Sequence, residues 1–421
     1  VRLWAALTGR GRALAVTGAV AVVLAAIAQH RDLMRVGLLL LAVPLVCLLV
    51  VARARYRVEL VRTVAPERIP VGTSTSVRLE LANLARLSTG VLLAEESLPA
   101  ALGPRPHFVI DRLAPGDQVA VGYRVGSDLR GRWQIGPVRL VLTDPFGICE
   151  VTRSFSATDP LTVTPAIIPL TPLSAAGAWR GSESVLRSAA AAGDHDVATR
   201  EYRHGDDLRR VHWRSTARRG ELMVRREEQP HELQATVLLD VRGHGHRGMG
   251  VSASLEWAVT AAASVVVLLT SCGYAVRLVT DGLDLGWTGR RHDAGLTGLL
   301  DRLAVIGAAP ASSLPDAVAT VARRGGDGLL VAILGEVDET LVRPLAALPG
   351  LGTAGLALLI DTTQWFHLPP RQAEQIRKGA QGASRLLELS EWSTVHVGGT
   401  DTVATAWSRL IRQHAATSGV A

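Results

Sequence analysis

The sequence predicts a multidomain chain: an N-terminal transmembrane helical hairpin, an antiparallel β-sandwich, then a doubly wound α/β domain. Three observations carry this. Two uncharged apolar runs lie near the start, alternation with period two fills the stretch after them, and apolar strands alternate with helical segments from about residue 233. The changes of pattern set the boundaries: 1–55 for the hairpin, 56–165 for the sandwich, 166–232 for a connector and a dense polar motif, 233–421 for the α/β domain.

The hairpin rests on residues 13–28 and 36–52, each slightly short of the roughly 20 residues that a spanning helix needs. Flanking arginines extend them by snorkelling, and Pro44 kinks the second. Arg2, Arg10 and Arg12 precede the first run, and Arg53, Arg55, Arg57 and Arg62 follow the second, whereas the seven-residue loop between holds only Arg31 and Arg35. The positive-inside bias then places both outer ends, and with them the bulk of this multi-pass chain, in the cytoplasm. Two rival readings are a signal peptide cleaved after Ala26-Ile27-Ala28 and a pair of core helices in a soluble fold. A third apolar run, Ala258 to Leu269, sits amid α/β alternation and reads as a buried core helix.

The sandwich rests on runs such as Ser76 to Leu81 and Val119 to Val125, punctuated by Pro and Gly clusters. Asp144-Pro145-Phe146-Gly147 reads as a turn between strands, and nothing in this region groups catalytic residue types. Residues 166–198, rich in Ser, Ala, Gly and Pro, read as a connector.

The net charge of +7 is carried almost wholly by arginine, Lys378 being the only lysine. That reflects a biased composition more than a nucleic-acid partner, and no nucleic-acid role is expected. Cys47, Cys149 and Cys272 are odd in number and form no CxxC pair, so neither a disulfide framework nor a zinc site is expected.

The densest polar stretch runs from Thr199 to Glu228, with nine Arg, six acidic residues and two His around Tyr202 and Trp213. Gly205-Asp206-Asp207 reads as a turn into a helix, Arg209 to Trp213 as one or two helical turns, and Leu222 to Arg225 as a departing strand. Three readings compete. One is an ion-pair network joining domains, since Arg forks pair bidentately with carboxylates. The second is a docking surface, since Arg and Trp are common hot-spot residues. The third is catalysis by His212 or Ser215 with Asp207; anion or nucleotide binding is a minor remainder.

Arg200-Glu201-Tyr202, Gly205-Asp206-Asp207, Arg209, His212-Trp213, Ser215, Ala217-Arg218 and Leu222-x-Val224-Arg225 closely resemble the signature of the bacterial domain of unknown function 58 family. The order of hairpin, β-rich segment with Asp-Pro-Phe-Gly, and α/β domain is similar too, so the resemblance covers nearly the whole chain. It implies a von Willebrand factor A-like C-terminal domain. It also implies work beside a MoxR-type AAA+ ATPase and often a transglutaminase-like membrane protein. It carries over no catalytic role.

In the α/β domain, Ala235 to Asp240 is an apolar strand ending in an acid. Further strands are expected at 274–280, 328–334, 355–360 and 394–397, with helices to Ser271 and around 314–324, 338–348, 371–388 and 401–416. A-type domains bind a divalent cation with Asp-x-Ser-x-Ser at the end of the first strand. Here the stretch is Asp240-Val241-Arg242-Gly243-His244, so both serines are replaced and the metal site is degenerate. His244 and His246 read as part of a solvated Gly-rich loop, more than as transition-metal ligands. Asp361-Thr362-Thr363 and Asp281-Gly282 sit at strand ends without a base or nucleophile beside them.

The expectation is a non-enzymatic, membrane-anchored accessory or scaffold protein with no cofactor, docking a MoxR-type ATPase or related envelope partners through Arg200 to Arg225. The alternatives are a hydrolase centred on His212 and Asp207, and a purely structural envelope scaffold.

Overall fold

The computed structural model describes residues 6–53, 58–86, 88–143, 147–172, 199–202, 213–225, 233–280, 283–288, 292–310, 313–323, 328–348 and 354–417. The chain divides into two compact units, Val1–Pro165 and Ala166–Ala421.

The first unit opens with two apolar helices, α1 (Gly9–Ala28) and α2 (Arg31–Arg53). Only Gln29 and His30 separate them, a shorter connection than the charge-free runs suggested. Gln29 takes the left-handed conformation (φ 53°), and its amide and that of His30 both return to the Ala25 carbonyl, which ends α1 abruptly. Arg31 and Arg35 therefore lie on α2 and not in a loop. The helices approach closely where glycine removes a side chain: Gly18 faces Leu41 and Gly37 faces Val22. Their outer surfaces, including Val16, Val23, Leu39 and Leu45, are exposed and apolar.

Ten strands follow among the described residues of this unit. They are β1 (Val58–Ala65), β2 (Arg68–Pro70), β3 (Ser74–Asn83), β4 (Leu92–Glu96), β5 (His107–Ile110), β6 (Gln118–Gly126), β7 (Gly131–Ile135), β8 (Val138–Thr143), β9 (Glu150–Phe155) and β10 (Asp159–Thr164). They form sheets β1-β3-β6, β2-β10-β7 and β5-β4-β8-β9, antiparallel except for β2 against β10. In β3 every second side chain is buried, the half-covered pattern that alternation predicts. Leu79 and Leu81 pack on Leu92 and Leu140 of the four-stranded sheet, while Val77 packs with Ile135, Leu161 and Val163 of the other. One sheet thus faces two, as a sandwich. Inside it, Arg62 donates to Glu96 (2.6 Å) and Asp159 (2.6 Å), and the Tyr123 hydroxyl donates to Glu96. Burial, then that carboxylate, push the Tyr123 phenol far above its ordinary range, so it stays a donor.

The hairpin is tied to these sheets. The Thr8 amide and hydroxyl bond the backbone at Ile148 and Gly147, and Leu7 and Cys47 pack with Ile148 and Cys149. The start of α1 and the last turns of α2 thus meet one segment beside β9. Cys47 and Cys149, distant in sequence, share this apolar cluster. The Asp-Pro-Phe-Gly turn lies outside the described residues except for Gly147, whose φ of +67° suits glycine.

The second unit centres on a six-stranded sheet: β13 (Gln234–Leu239), β14 (Ala275–Thr280), β15 (Leu283–Trp287), β16 (Leu329–Leu334), β17 (Ala354–Ile360) and β18 (Trp392–Val397), in the order β15-β14-β13-β16-β17-β18. All pair in parallel except β15, an antiparallel edge strand. Helices α4 (Ser254–Ser271), α5 (His292–Val305) and α9 (Val403–Thr417) cover one face; α6 (Leu314–Arg323), α7 (Glu339–Ala346) and α8 (Pro370–Leu389) cover the other. Every residue of β16 is buried, as a strand covered on both faces requires. The order reverses between β13 and β16, the switch point of a doubly wound sheet. By length and composition α4 also suffices to cross a membrane, but 72% of its apolar window is buried against 17% in α1 and in α2. It is the core helix that the alternation indicated. The connector begins as part of this unit: the Ile168 amide bonds Ser264, and the Trp407 indole bonds the Thr171 carbonyl.

Candidate functional site

The polar motif folds as a short hairpin that carries a helix. Strand β11 (Thr199–Glu201) pairs antiparallel with β12 (Met223–Arg225), and the Tyr202 amide donates to the Leu222 carbonyl (2.8 Å). Between them lies α3 (Trp213–Arg219). It ends at Gly220, whose φ of +76° lets the chain reverse. The Thr216 hydroxyl accepts the Met223 amide (3.0 Å), fixing helix to strand. Met223 is 1% exposed and anchors the hairpin, whereas Trp213, at the first turn of α3, is 70% exposed. Arg218, Arg219 and Leu222 are exposed on the same segment.

Of the predicted site residues, Tyr202 is half-buried beside the hairpin, and Trp213 and Arg218 reach solvent. Arg200, Glu201, Ser215 and Arg225 are placed by backbone, on β11, α3 and β12. Gly205, Asp206, Asp207, Arg209 and His212 lie outside the described residues, and with them the turn, the helical turns before Trp213 and the His212/Asp207 pair.

The second site is the carboxyl end of β13, at the switch point. Asp240 and Arg242 are 3% and 2% exposed. The guanidinium grips both carboxylate oxygens, Nε to Oδ1 at 2.9 Å and Nη2 to Oδ2 at 2.7 Å. The amides of Arg242 and Gly335 add 3.0 and 3.1 Å bonds, and Nη2 continues to the Glu336 carbonyl at 2.7 Å. Burial pushes the Asp240 carboxyl up; the hydrogen bonds and charge of Arg242 outweigh it and hold the group below the usual carboxylate range. Arg242 thus turns inward and sets its charge against Asp240.

His246 corrects the expectation of a solvated loop, because it is 9% exposed. The Asp240 carbonyl only accepts, so Nε2 of His246 carries the proton toward it (2.8 Å). Nδ1 then accepts from the Ser254 hydroxyl (3.2 Å), which itself accepts the Arg247 amide (2.9 Å). Burial lowers the His246 pKa against the pull of Asp240, which keeps the ring neutral. Sequence reasoning missed Ser254 and His246 as partners; their spacing of eight residues carries no motif.

Glu336, after β16, accepts two bonds from Arg247 (3.2 and 2.8 Å). Asp361, at the end of β17, accepts from the Thr363 amide and hydroxyl and from the Gln364 amide group. It caps the 3-10 turn 362–364. Ser393 and His414 make a second buried Ser–His contact (2.9 Å). Both Ser–His pairs are buried, with partners that satisfy them. Among the described residues no group of three His, Cys, Asp or Glu is arranged to hold a metal. Burial pushes the Cys272 thiol up, away from reactivity.

Residues 198–344, which include the motif, the β13 terminus and the sheet as far as β16, match the family described as "Protein of unknown function DUF58". No curated protein matches the chain. Solved structures similar to part of it include the CARDB domain of the PF1109 protein from Pyrococcus furiosus (11% identity, 26% of this chain and 93% of that one, TM-score 0.20). The putative ApaA protein from Bordetella pertussis is similar at 10% identity, over 25% of this chain and 91% of that one, with a TM-score of 0.19. A FixG-related protein from Vibrio parahaemolyticus is similar at 9%, over 25% and 95%, with a TM-score of 0.17. At these scores none of the three identifies a fold for this chain.

Proposed function

Starting from residues 198–344 as a segment of the DUF58 family, we propose that this membrane-associated chain is a non-enzymatic docking protein. Its second unit receives a soluble partner on the surface around Trp213, and the partner is a MoxR-type AAA+ ATPase in the cytoplasm. A transglutaminase-like membrane protein is a further member of the assembly. One observation carries the reading: a tryptophan 70% exposed, held on a helix that a buried methionine and a threonine hydroxyl anchor. Exposing so large an apolar side chain gains nothing for folding, whereas a Trp flanked by Arg218 and Arg219 has the composition of an interface hot spot. Outward side chains also disfavour a motif that only joins domains. The finer fold reading is a von Willebrand factor A-like domain. It is supported by the strand order around β13 and by Asp240 at that strand's carboxyl end. The arginine bias around α1 and α2 supports the cytoplasmic side for both ends.

Affinity capture from detergent-solubilised native membranes tests the proposal. Wild-type protein should recover an AAA+ ATPase and Trp213→Ala should lose it while keeping its circular dichroism and melting temperature. Equal recovery by both proteins, or by neither, would overturn the reading.

A further inference from the structure

The two ends of the sandwich differ, and strand register tells them apart. Val58, Asn83 and Gln118 stand together at one end of β1-β3-β6, as do Leu92, Ile110 and Glu150 at one end of β5-β4-β8-β9. The Leu113 carbonyl accepts from the Asn83 side chain (3.0 Å) and from the Thr89 amide (2.9 Å), so these are the same end of the sandwich. This end also meets the hairpin. Cys149, next to Glu150, packs with Cys47, and Ile148 lies against Gly11, two residues before the charge-free run 13–28. It therefore sits at the boundary of the apolar helices.

The exposed apolar side chains of the sandwich gather there. Among its described residues the large ones are Val61, Leu84, Val91, Leu93 and Val109. Leu84 follows Asn83, Val91 precedes β4, Leu93 is the second residue of β4, and Val109 is the last but one of β5. Four of the five thus lie at the hairpin end, and Val61 lies in the same half of β1. The turns at the opposite end, after Ala65, Gly126, Ile135 and Phe155, expose none among the described residues. Single exposed apolar residues are ordinary, but their restriction to the end that is tied to two membrane-length helices is not. The charges at this end, Arg86 and Arg112 with Asp111, Asp117 and Glu150, carry no positive excess. The attraction is therefore apolar, and anionic lipid is not required for it.

We propose that this end of the sandwich rests in the headgroup layer of the bilayer that holds α1 and α2, with Leu84, Val91, Leu93 and Val109 against lipid. A strand rises about 3.4 Å per residue and the headgroup layer is about 5–8 Å deep on each side, so residues within two positions of this end fall inside it. The charged side chains there stay hydrated, because that layer is wet. The inference rests on the membrane association of the hairpin and not on docking at Trp213.

Electron paramagnetic resonance of nitroxide labels tests it, on the full chain in phosphatidylcholine vesicles at high lipid excess. Labels are placed through Leu84→Cys and Val109→Cys. The references are Val23→Cys on α1 and Glu67→Cys at the opposite end of the sandwich, all exposed positions. A Cys272→Ser background removes the one native cysteine that is not buried. Collisions with a water-soluble nickel chelate should be lost at Val23→Cys, full at Glu67→Cys and partly lost at Leu84→Cys and Val109→Cys. Full nickel access at both of the latter, with Val23→Cys protected, would overturn this proposal and leave the membrane association of the hairpin standing. Full access at Val23→Cys as well would remove both. Protection of Leu84→Cys and Val109→Cys only at high protein density would mean that a second copy covers them, and would also overturn the proposal. The two labels sit on separate segments, so if one variant misfolds the other decides.

Discussion

At the scale of single residues, the buried Asp240–Arg242 pair carries the sharpest energetic consequence. Removing one partner leaves a charge buried without compensation, so Arg242→Ala should cost about 3–5 kcal/mol in urea unfolding. Replacing both, as Asp240→Asn with Arg242→Met, should recover much of that loss, because neither charge is then left alone. A double substitution no more stable than Arg242→Ala would show that the pair does not act as one unit. That Arg242 and His244 stand two and four residues after Asp240 was legible in the sequence. That Arg242 turns back onto its own strand end was not, because the direction of a side chain in a Gly-rich loop depends on the 3-10 turn Gly243–Gly245 and on the Glu336 carbonyl, a tertiary partner. Trp213 is the opposite case. Its oddity shows in sequence, and its exposure follows only once α3 is placed.

At the scale of elements, long periodic segments were legible and short or broken ones were not. The alternation of β3, the apolar runs of β13 and β16 and the core character of α4 all follow from hydropathy pattern alone. In the six-stranded domain β15 escaped, which is five residues long with Gly286 at φ +109°, as did α5, whose apolar face is interrupted by glycines. The connection between α1 and α2 was also read as too long, because charged Arg31 and Arg35 conceal a helix start. The β11–α3–β12 element predicts a contrast between neighbours. Met223→Ala should cost about 2–5 kcal/mol, as for a buried methionine. Leu222→Ala, on an exposed neighbour, should stay within about 0.5 kcal/mol. Chemical denaturation of the two variants decides it, and equal losses would mean that the hairpin is anchored elsewhere.

At the scale of the whole molecule, two of the described histidines, His246 and His414, are buried. Burial depresses the pKa of both His246 and His414 below the ordinary histidine value. The unfolded chain then binds protons that the folded chain refuses, starting near pH ~6.5. Stability from these two groups is full above that pH and falls as acidification proceeds toward the folded pKa values. The melting temperature should therefore drop between about pH 6.5 and 5, and His414→Gln should reduce the slope. A flat profile over that window would contradict the assignment of neutral buried rings. The order of hairpin, sheets and α/β layers was legible, since each has its own hydropathy period. The attachment of α1 to Ile148 was not, because a backbone pairing between residues 140 positions apart leaves no mark in local pattern.

The guanidinium at the end of β13 also changes what the surroundings can say to this sheet. A bound ion has a dissociation constant, comes and goes with supply, and can be stripped by a chelator. A positive charge built into the polypeptide has no such constant. At this position the positive charge that faces Asp240 is part of the chain itself, so its presence does not vary with the supply of ions.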